Sequence, residues 1–181
     1  QFLDLGSGVP TVGNVHEVAQ GIEPTARVAY VDYEPVAVAH AEQIIAETGA
    51  TGVTVTRADL REPQSVLTAP GIAGLLDRSR PIAVLAVAVL HFVAGDVRGL
   101  FDVYRAALVP GSALVISHVS PDVDDPELAA IARAGAEAYR DSANPATLRD
   151  RAQLRDLLHD LDLVGPGMVD VTDWPAPQPD V

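Results

Sequence analysis

Phe2-Leu3-Asp4-Leu5-Gly6-Ser7-Gly8 opens the sequence as a short apolar run, interrupted by one acid and closed by two glycines. A strand that runs into Gly-x-Gly marks a tight turn where backbone can approach a ligand closely. The pattern alone is weak, and the later strand ends give it weight. Residues 27–31 read as a second strand, ending at Asp32. Pro35 suits the first turn of a helix and Gly49 its C′ position, with Ala37, Ala41, Ile44, Ile45 and Thr48 on one face. Residues 53–56 read as a third strand before Asp59, and a weaker helix is expected around 64–77. Residues 81–89 are continuously apolar, as suits a strand buried on both faces of a parallel sheet. Asp96 caps an expected helix carrying Val97, Leu100, Phe101, Tyr104 and Leu108, and residues 113–117 read as a fifth strand.

This alternation implies an α/β fold: a Rossmann-like, doubly wound, mostly parallel sheet with helices on both faces. Past the fifth strand, a helix over 126–140 presents Leu128, Ile131, Ala132 and Tyr139. Asp150 and Gln153 have the spacing of a capping box, ahead of a stripe of Leu154, Leu157, Leu158 and Leu161. A turn at 164–167 then leads to an expected last strand over 168–172. The tail over 174–179 is rich in proline and reads as extended.

Composition narrows the chemistry. The chain has 181 residues, 48% hydrophobic and 20% charged, which suits one domain with a real core. The sequence begins inside a strand, so an N-terminal segment is expected to precede it in a longer protein. All 12 cationic residues are arginine, against 25 acids, for a net charge of -13. A polyanion is disfavoured as partner, because phosphate backbones are held by cations. Without lysine there is no Schiff base and no P-loop lysine. Without cysteine there is no disulfide, thiolate nucleophile or zinc–thiolate site. The longest apolar run, 82–90, is far short of the roughly 20 residues that span a membrane. The absence of cysteine fits a cytoplasmic protein. The acidic stretch 121–127 reads as a solvated loop and helix start, and the five scattered histidines give no metal signal.

In doubly wound sheets, ligands bind outside the carboxyl ends of the strands. Three strand ends here offer acids. Asp32 can accept from both ribose hydroxyls of a nucleoside, and Asp59 from an adenine amino group. Tyr33 can pack on the base. A dinucleotide fingerprint would need a third glycine where Thr11 stands, and its pyrophosphate would tolerate Asp4 poorly. An acid beside the turn suits a ligand with an ammonium group. S-adenosylmethionine carries one, with an adenosine and no phosphate.

Residues 2–8, Val31-Asp32-Tyr33-Glu34-Pro35, Ala58-Asp59-Leu60 and Val89-Leu90-His91-Phe92 resemble the motifs of class I S-adenosylmethionine-dependent methyltransferases. The longer run 6–20, the segment 163–167 and Trp174 resemble an actinobacterial family of S-adenosyl methyltransferases of unknown substrate. The likeness spans nearly the whole chain, with Pro10 where the first motif usually has its third glycine. It implies one S-adenosylmethionine-binding domain over 1–181, with the last strand inserted antiparallel. A wholly parallel sheet would point instead to a dinucleotide fold. It also implies that Gly6, Ser7 and Gly8 line the methionine part, with Asp4 near the ammonium. Asp32 would hold the ribose, and Asp59 and the Leu60 N–H the adenine. Val89, Leu90 and His91 would border the transferred methyl.

His91 is the best candidate for a base, should the acceptor have to lose a proton. Packing is the simpler role for it, and also for His16 and His118. His40 and His159 read as surface residues. Tyr104, Phe101 and Tyr139 read as core, and Trp174 as an anchor for the tail. The favoured function is methyl transfer to a small-molecule acceptor. The alternatives are a non-catalytic cofactor-binding or regulatory module and a nucleotide-cofactor oxidoreductase.

Overall fold

The computed structural model describes residues 1–174. The sheet has five strands: β1 Phe2–Leu5, β2 Val28–Asp32, β3 Val53–Arg57, β4 Ala83–Val87 and β5 Ala113–Ser117. Their order is β3-β2-β1-β4-β5, and every neighbouring pair is parallel. The chain winds outward from β1 through β2 to β3, then crosses to β4 on the other side. The reversal falls between β1 and β4, the place where such sheets open a crevice at their carboxyl edge. Asp4 sits in register with Tyr30 of β2 and Leu85 of β4.

The helices are α1 Val15–Ile22, α2 Pro35–Thr48, α3 Pro63–Thr68, α4 Pro70–Leu75, α5 Val97–Ala106, α6 Pro126–Ala138 and α7 Arg151–Leu157. Leu3, Leu5, Val31, Val84 and Leu90 join Phe101 and Tyr104 of α5 in the main core. Full burial of such side chains contributes about 1.5–3 kcal/mol each. Phe101 and Tyr104 are therefore core residues, as their spacing predicted. Asp96 caps α5 by accepting from the Gly99 N–H. The capping box of α7 forms too: the Gln153 N–H donates to Asp150 and the Asp150 N–H to Gln153.

Four expectations are corrected. The helix expected at 64–77 is two, split at Ala69-Pro70, because the residue before proline is pushed out of helical ψ. Ala69 takes φ -57 and ψ 133. The leucine stripe after Asp150 is cut short: α7 ends at Leu157, and Leu161 is exposed. The apolar stripe of α6 faces outward. Leu128 and Ile131 are exposed and Ala129 is the buried residue, so Tyr139 is not core but an exposed ring packed on Phe92. The antiparallel strand expected over 168–172 does not form. Asp170 is taken by Arg151 at 2.7 Å, and its carbonyl accepts the Asp173 N–H in a 3-10 turn over Val171–Asp173. The sheet is thus wholly parallel among the described residues. The extended tail read from 174 onward lies, beyond Trp174, outside the described residues. Among those described, no helix is long and apolar enough to cross a membrane.

Candidate active site

The turn after β1 spends its donors inward. The Gly6 and Ser7 N–H groups both point to the Val31 carbonyl, at 2.8 and 3.1 Å. The Gly8 N–H donates to Asp32 Oδ2 at 2.8 Å, and the Glu34 N–H to Asp32 Oδ1 at 2.9 Å. Asp32 therefore clasps two loops at the end of β2. Gly6 has φ +68, and a β-carbon there would lie 2.2 Å from Val89 Cγ2. Only glycine fits that approach between the β1 and β4 ends. Val89 follows Ala88, a non-glycine residue held at φ 52 whose N–H donates to Ser117 Oγ. A left-handed alanine costs energy and persists only where its surroundings hold it.

Asp4 is buried one position before the strand end. Burial, and then the charge of Asp32, push its carboxyl up to about 6. Its register neighbour Tyr30 bonds His16 twice, through the His16 N–H at 2.9 Å and the ring Nδ1 at 2.8 Å. His16 is a packed, buried partner of Tyr30.

On the β3 side, Asp59 accepts from Arg61 through both carboxylate oxygens. The Arg61 side chain holds the Asp59 carboxyl below the usual range. The guanidinium lies 6.0 Å from the Tyr33 ring centre, and the Tyr33 hydroxyl meets Asn144. Leu60 is buried, and its carbonyl accepts from the Tyr104 hydroxyl at 2.8 Å. No acceptor among the described residues takes the Leu60 N–H.

At the β4 and β5 ends, Leu90–Phe92 form a 3-10 turn. The His91 carbonyl accepts from the Thr147 N–H, while its ring Nδ1 is buried without a partner among the described residues. Burial first, and then Arg149, lower the His91 pKa. Buried Arg149 donates to the Leu90 carbonyl at 2.8 Å and to the Val93 carbonyl at 2.6 Å. It also meets His118 Nε2 at 3.1 Å. His118 gives its Nδ1–H to the Val119 carbonyl, which leaves Nε2 as an acceptor. Burial lowers the His118 pKa to about 4 against the pull of that bond. The segment carrying Asn144, Thr147 and Arg149 thus touches the ends of β2, β4 and β5.

A family model for S-adenosyl methyltransferases matches residues 1–181. The chain belongs to this family. Its likeness to solved structures agrees. A protein from Thermobifida fusca YX, whose methyltransferase assignment is provisional, is 36% identical with a TM-score of 0.87. The match covers 100% of this chain and 66% of that one. A DUF574 family protein from Streptomyces avermitilis MA-4680 is 33% identical with a TM-score of 0.85, over 96% of this chain and 66% of that one. Coclaurine N-methyltransferase, bound to N-methylheliamine and S-adenosylhomocysteine, shares 13% identity and a TM-score of 0.56, a likeness of fold alone. That match covers 90% of this chain and 44% of that chain. No curated protein matches. The chain spans just under two thirds of the length of its two close structural relatives. Membership in the S-adenosyl methyltransferase family outweighs the wholly parallel sheet, which had been expected to mark a dinucleotide fold.

The residues present suit the cofactor of that family. Asp4 offers a buried acid beside the turn, Gly6 a cradle that any β-carbon would fill, and Leu60 an N–H without a partner among the described residues. Asp4, Gly6, Ser7, Gly8, Asp32, Tyr33, Asp59, Leu60, Val89, Leu90 and His91 all lie at the carboxyl edge. His40 and His159 stand apart, the first exposed and the second bonded within its own turn to the Asp156 carbonyl. Trp174 is exposed, with its N–H donating to the Val171 carbonyl. Sequence reasoning missed Arg61, Asn144 and Arg149. Arg61 could have been found, because a residue two past an Asp often gives it its N–H, as here. Arg149 carries no such signal, since a lone arginine in a polar link reads as surface.

Proposed function

We propose that this chain binds S-adenosylmethionine across the β1–β4 crevice and transfers its methyl to a small-molecule acceptor in the cytoplasm. The observation that carries the reading is the inward use of every N–H in Gly6–Gly8 beside the buried Asp4. A phosphate would meet no free donor in that turn and two acids. An ammonium would meet Asp4. The net charge of -13 argues against nucleic acid and anionic membrane as acceptor surfaces.

When bound, the sulfonium supplies an electrophilic methyl, so the protein's task is mainly to position. Asp4 would hold the ammonium, Asp32 the ribose hydroxyls, and Asp59 with the Leu60 N–H the adenine edge. Tyr33 would border the base. Val89, Leu90 and His91 would border the methyl, keep water from it and help to orient the acceptor towards it. An acceptor that must also lose a proton can give it to His91, which is neutral at neutral pH.

Thermal denaturation with added ligand tests the reading. A ligand bound only to the folded state raises the melting temperature by mass action. S-adenosylhomocysteine should do so, and NAD(H) should not. Stabilisation by NAD(H) alone would overturn methyl transfer in favour of an oxidoreductase. Tight binding of S-adenosylhomocysteine with no acceptor turned over would favour a non-catalytic module.

A further inference from the structure

Arg149 is anomalous for this chain. Among the described residues it is the one buried arginine, 9% exposed, and no carboxylate lies within ion-pair distance of it. Acids outnumber cations 25 to 12, and Arg61, Arg98, Arg105, Arg140 and Arg151 each have an acid partner at or near the surface. A buried guanidinium is costly unless a counter-charge meets it. The three partners of Arg149 are neutral: the Leu90 and Val93 carbonyls and His118 Nε2. Its Nε–H has no acceptor among the described residues.

A second, independent observation lies beside it. His91 is 8% exposed, its ring stands 5.7 Å from the His118 ring, and its buried Nδ1 has no partner among the described residues. A buried polar atom of this kind costs about 1–3 kcal/mol unless something bonds it. One uncompensated cation and one unused imidazole nitrogen thus both lie beside His118 at the carboxyl ends of β4 and β5.

We propose that Arg149, His91 and His118 form an anion subsite, and that the methyl acceptor is a small molecule carrying a carboxylate held there. The assignment to the acceptor rests on the methyl-transfer reading; the anion subsite itself does not. The guanidinium supplies the charge and a planar fork matched to a carboxylate. His91 donates Nδ1–H to the same group. His118, its Nδ1–H already spent on Val119, holds the guanidinium in place through Nε2 and is a positioning residue. A single cation matches a monoanion, whereas a phosphate dianion would face one positive charge and the field of a strongly acidic protein.

Sodium benzoate is the probe. The His91 and His118 ring protons are followed by NMR in protein saturated with S-adenosylhomocysteine, with sodium chloride as the ionic-strength control. Benzoate should give a saturable shift that chloride does not. Arg149→Gln should weaken benzoate by about 10- to 100-fold, the loss expected for one or two charge-assisted bonds. Arg149→Lys, which keeps the charge and loses the fork, should fall between. S-adenosylhomocysteine should bind all three proteins alike. A benzoate shift that is linear, matched by chloride, or unchanged in Arg149→Gln would overturn the subsite. Should Arg149→Gln fail to fold, the wild-type titration and Arg149→Lys still decide. Inorganic phosphate binding more tightly than benzoate would overturn the carboxylate assignment. Failure of S-adenosylhomocysteine to bind wild-type protein would instead count against the methyl-transfer reading.

Discussion

Gly8 donates its backbone N–H to Asp32 Oδ2 at 2.8 Å, joining the turn after β1 to the end of β2. The same carboxylate holds the Glu34 N–H at 2.9 Å. Asp32 is therefore a clasp for the crevice wall before any ligand arrives. Each carboxylate oxygen has a second lone pair, so the clasp leaves capacity for ribose hydroxyls.

Asp32→Ala should act on binding and on the fold together. Two charge-assisted bonds to the ribose are each worth about 1.5–3 kcal/mol, and water offsets part of their loss. S-adenosylhomocysteine affinity should fall about 30- to 1000-fold. Freed N–H groups near solvent rehydrate incompletely, so stability should also drop by about 1–3 kcal/mol. The clasp is what makes the loss of Asp32 a matter of stability as well as of binding. Asp32→Asn should be milder on binding, because its amide oxygen still accepts, but not on stability, because its NH2 group turns a donor toward one of the two N–H groups that the carboxylate held. Asp77→Ala is the control. That exposed acid holds Ser79, and its backbone pairs with Gln1 at the opposite edge of the sheet. Calorimetric titration and urea denaturation of all four proteins check the prediction. Wild-type affinity in Asp32→Ala would remove Asp32 from the site.

Gly6→Ala should be severe for two separable reasons. Left-handed φ costs a non-glycine residue about 1–2 kcal/mol, and the new β-carbon would collide with Val89 Cγ2 at 2.2 Å. Overpacking adds about 1–3 kcal/mol. Val89→Ala removes the worst of the collision, leaving a residual 2.9 Å contact with its own β-carbon and the backbone term. The double variant should thus be more stable than the sum of the singles by at least about 1 kcal/mol. Additive losses in urea denaturation would show that the contact does not govern this turn.

Much of this arrangement was legible in the sequence because its signals are local. Residues 81–89 read as a strand from continuous apolarity, and one forms over Ala83–Val87; burial on both faces was overread, since Val84 and Ala86 are buried but Val87 is exposed. Gly6, Asp32 and Asp59 declared themselves by ending strands. What failed depended on partners. Val169 and Val171 give 168–172 strand character, but a strand needs an edge to pair with, and Arg151 claims Asp170 for a turn instead. Helical spacing marked a stripe on α6 without saying what would cover it, so Tyr139 was misread as core. Arg149 is buried by chain segments far from it in sequence, and nothing local announces that.

Tyr104→Phe isolates one long-range bond. The ring fills the core in both variants, so no cavity opens. The lost hydroxyl leaves the Leu60 carbonyl without its 2.8 Å donor. Burial raises the phenol's pKa, so Tyr104 remains a donor throughout the ordinary pH range. Stability should fall by about 1–2 kcal/mol. S-adenosylhomocysteine affinity should fall less than about tenfold, since Leu60 is displaced rather than removed. Unchanged stability would mean that another donor reaches that carbonyl.

Asp4 should make both stability and binding depend on pH. Burial, then the charge of Asp32, raise its carboxyl to about 6 from 3.8. The folded state thus holds this proton more tightly than the unfolded chain does. At pH 3.8 and below both states are protonated, and Asp4 carries no ionisation penalty. Between 3.8 and about 6 the folded state binds more protons, so stability falls as pH rises. Above that window the penalty levels off at roughly 2–3 kcal/mol. Asp4→Asn cannot ionise, so it should be more stable than wild type at neutral pH and lose that advantage near pH 4. Comparing the two proteins cancels the other carboxylates. Ligand binding should run the other way. The charged carboxylate is the form that attracts an ammonium, so wild-type affinity for S-adenosylhomocysteine should rise with pH across the same window. In Asp4→Asn that rise should vanish. Urea denaturation and calorimetric titration at pH 4.5, 6 and 7.5 measure both trends. A stability difference between the two proteins that does not change with pH would show that Asp4 titrates as an ordinary surface acid.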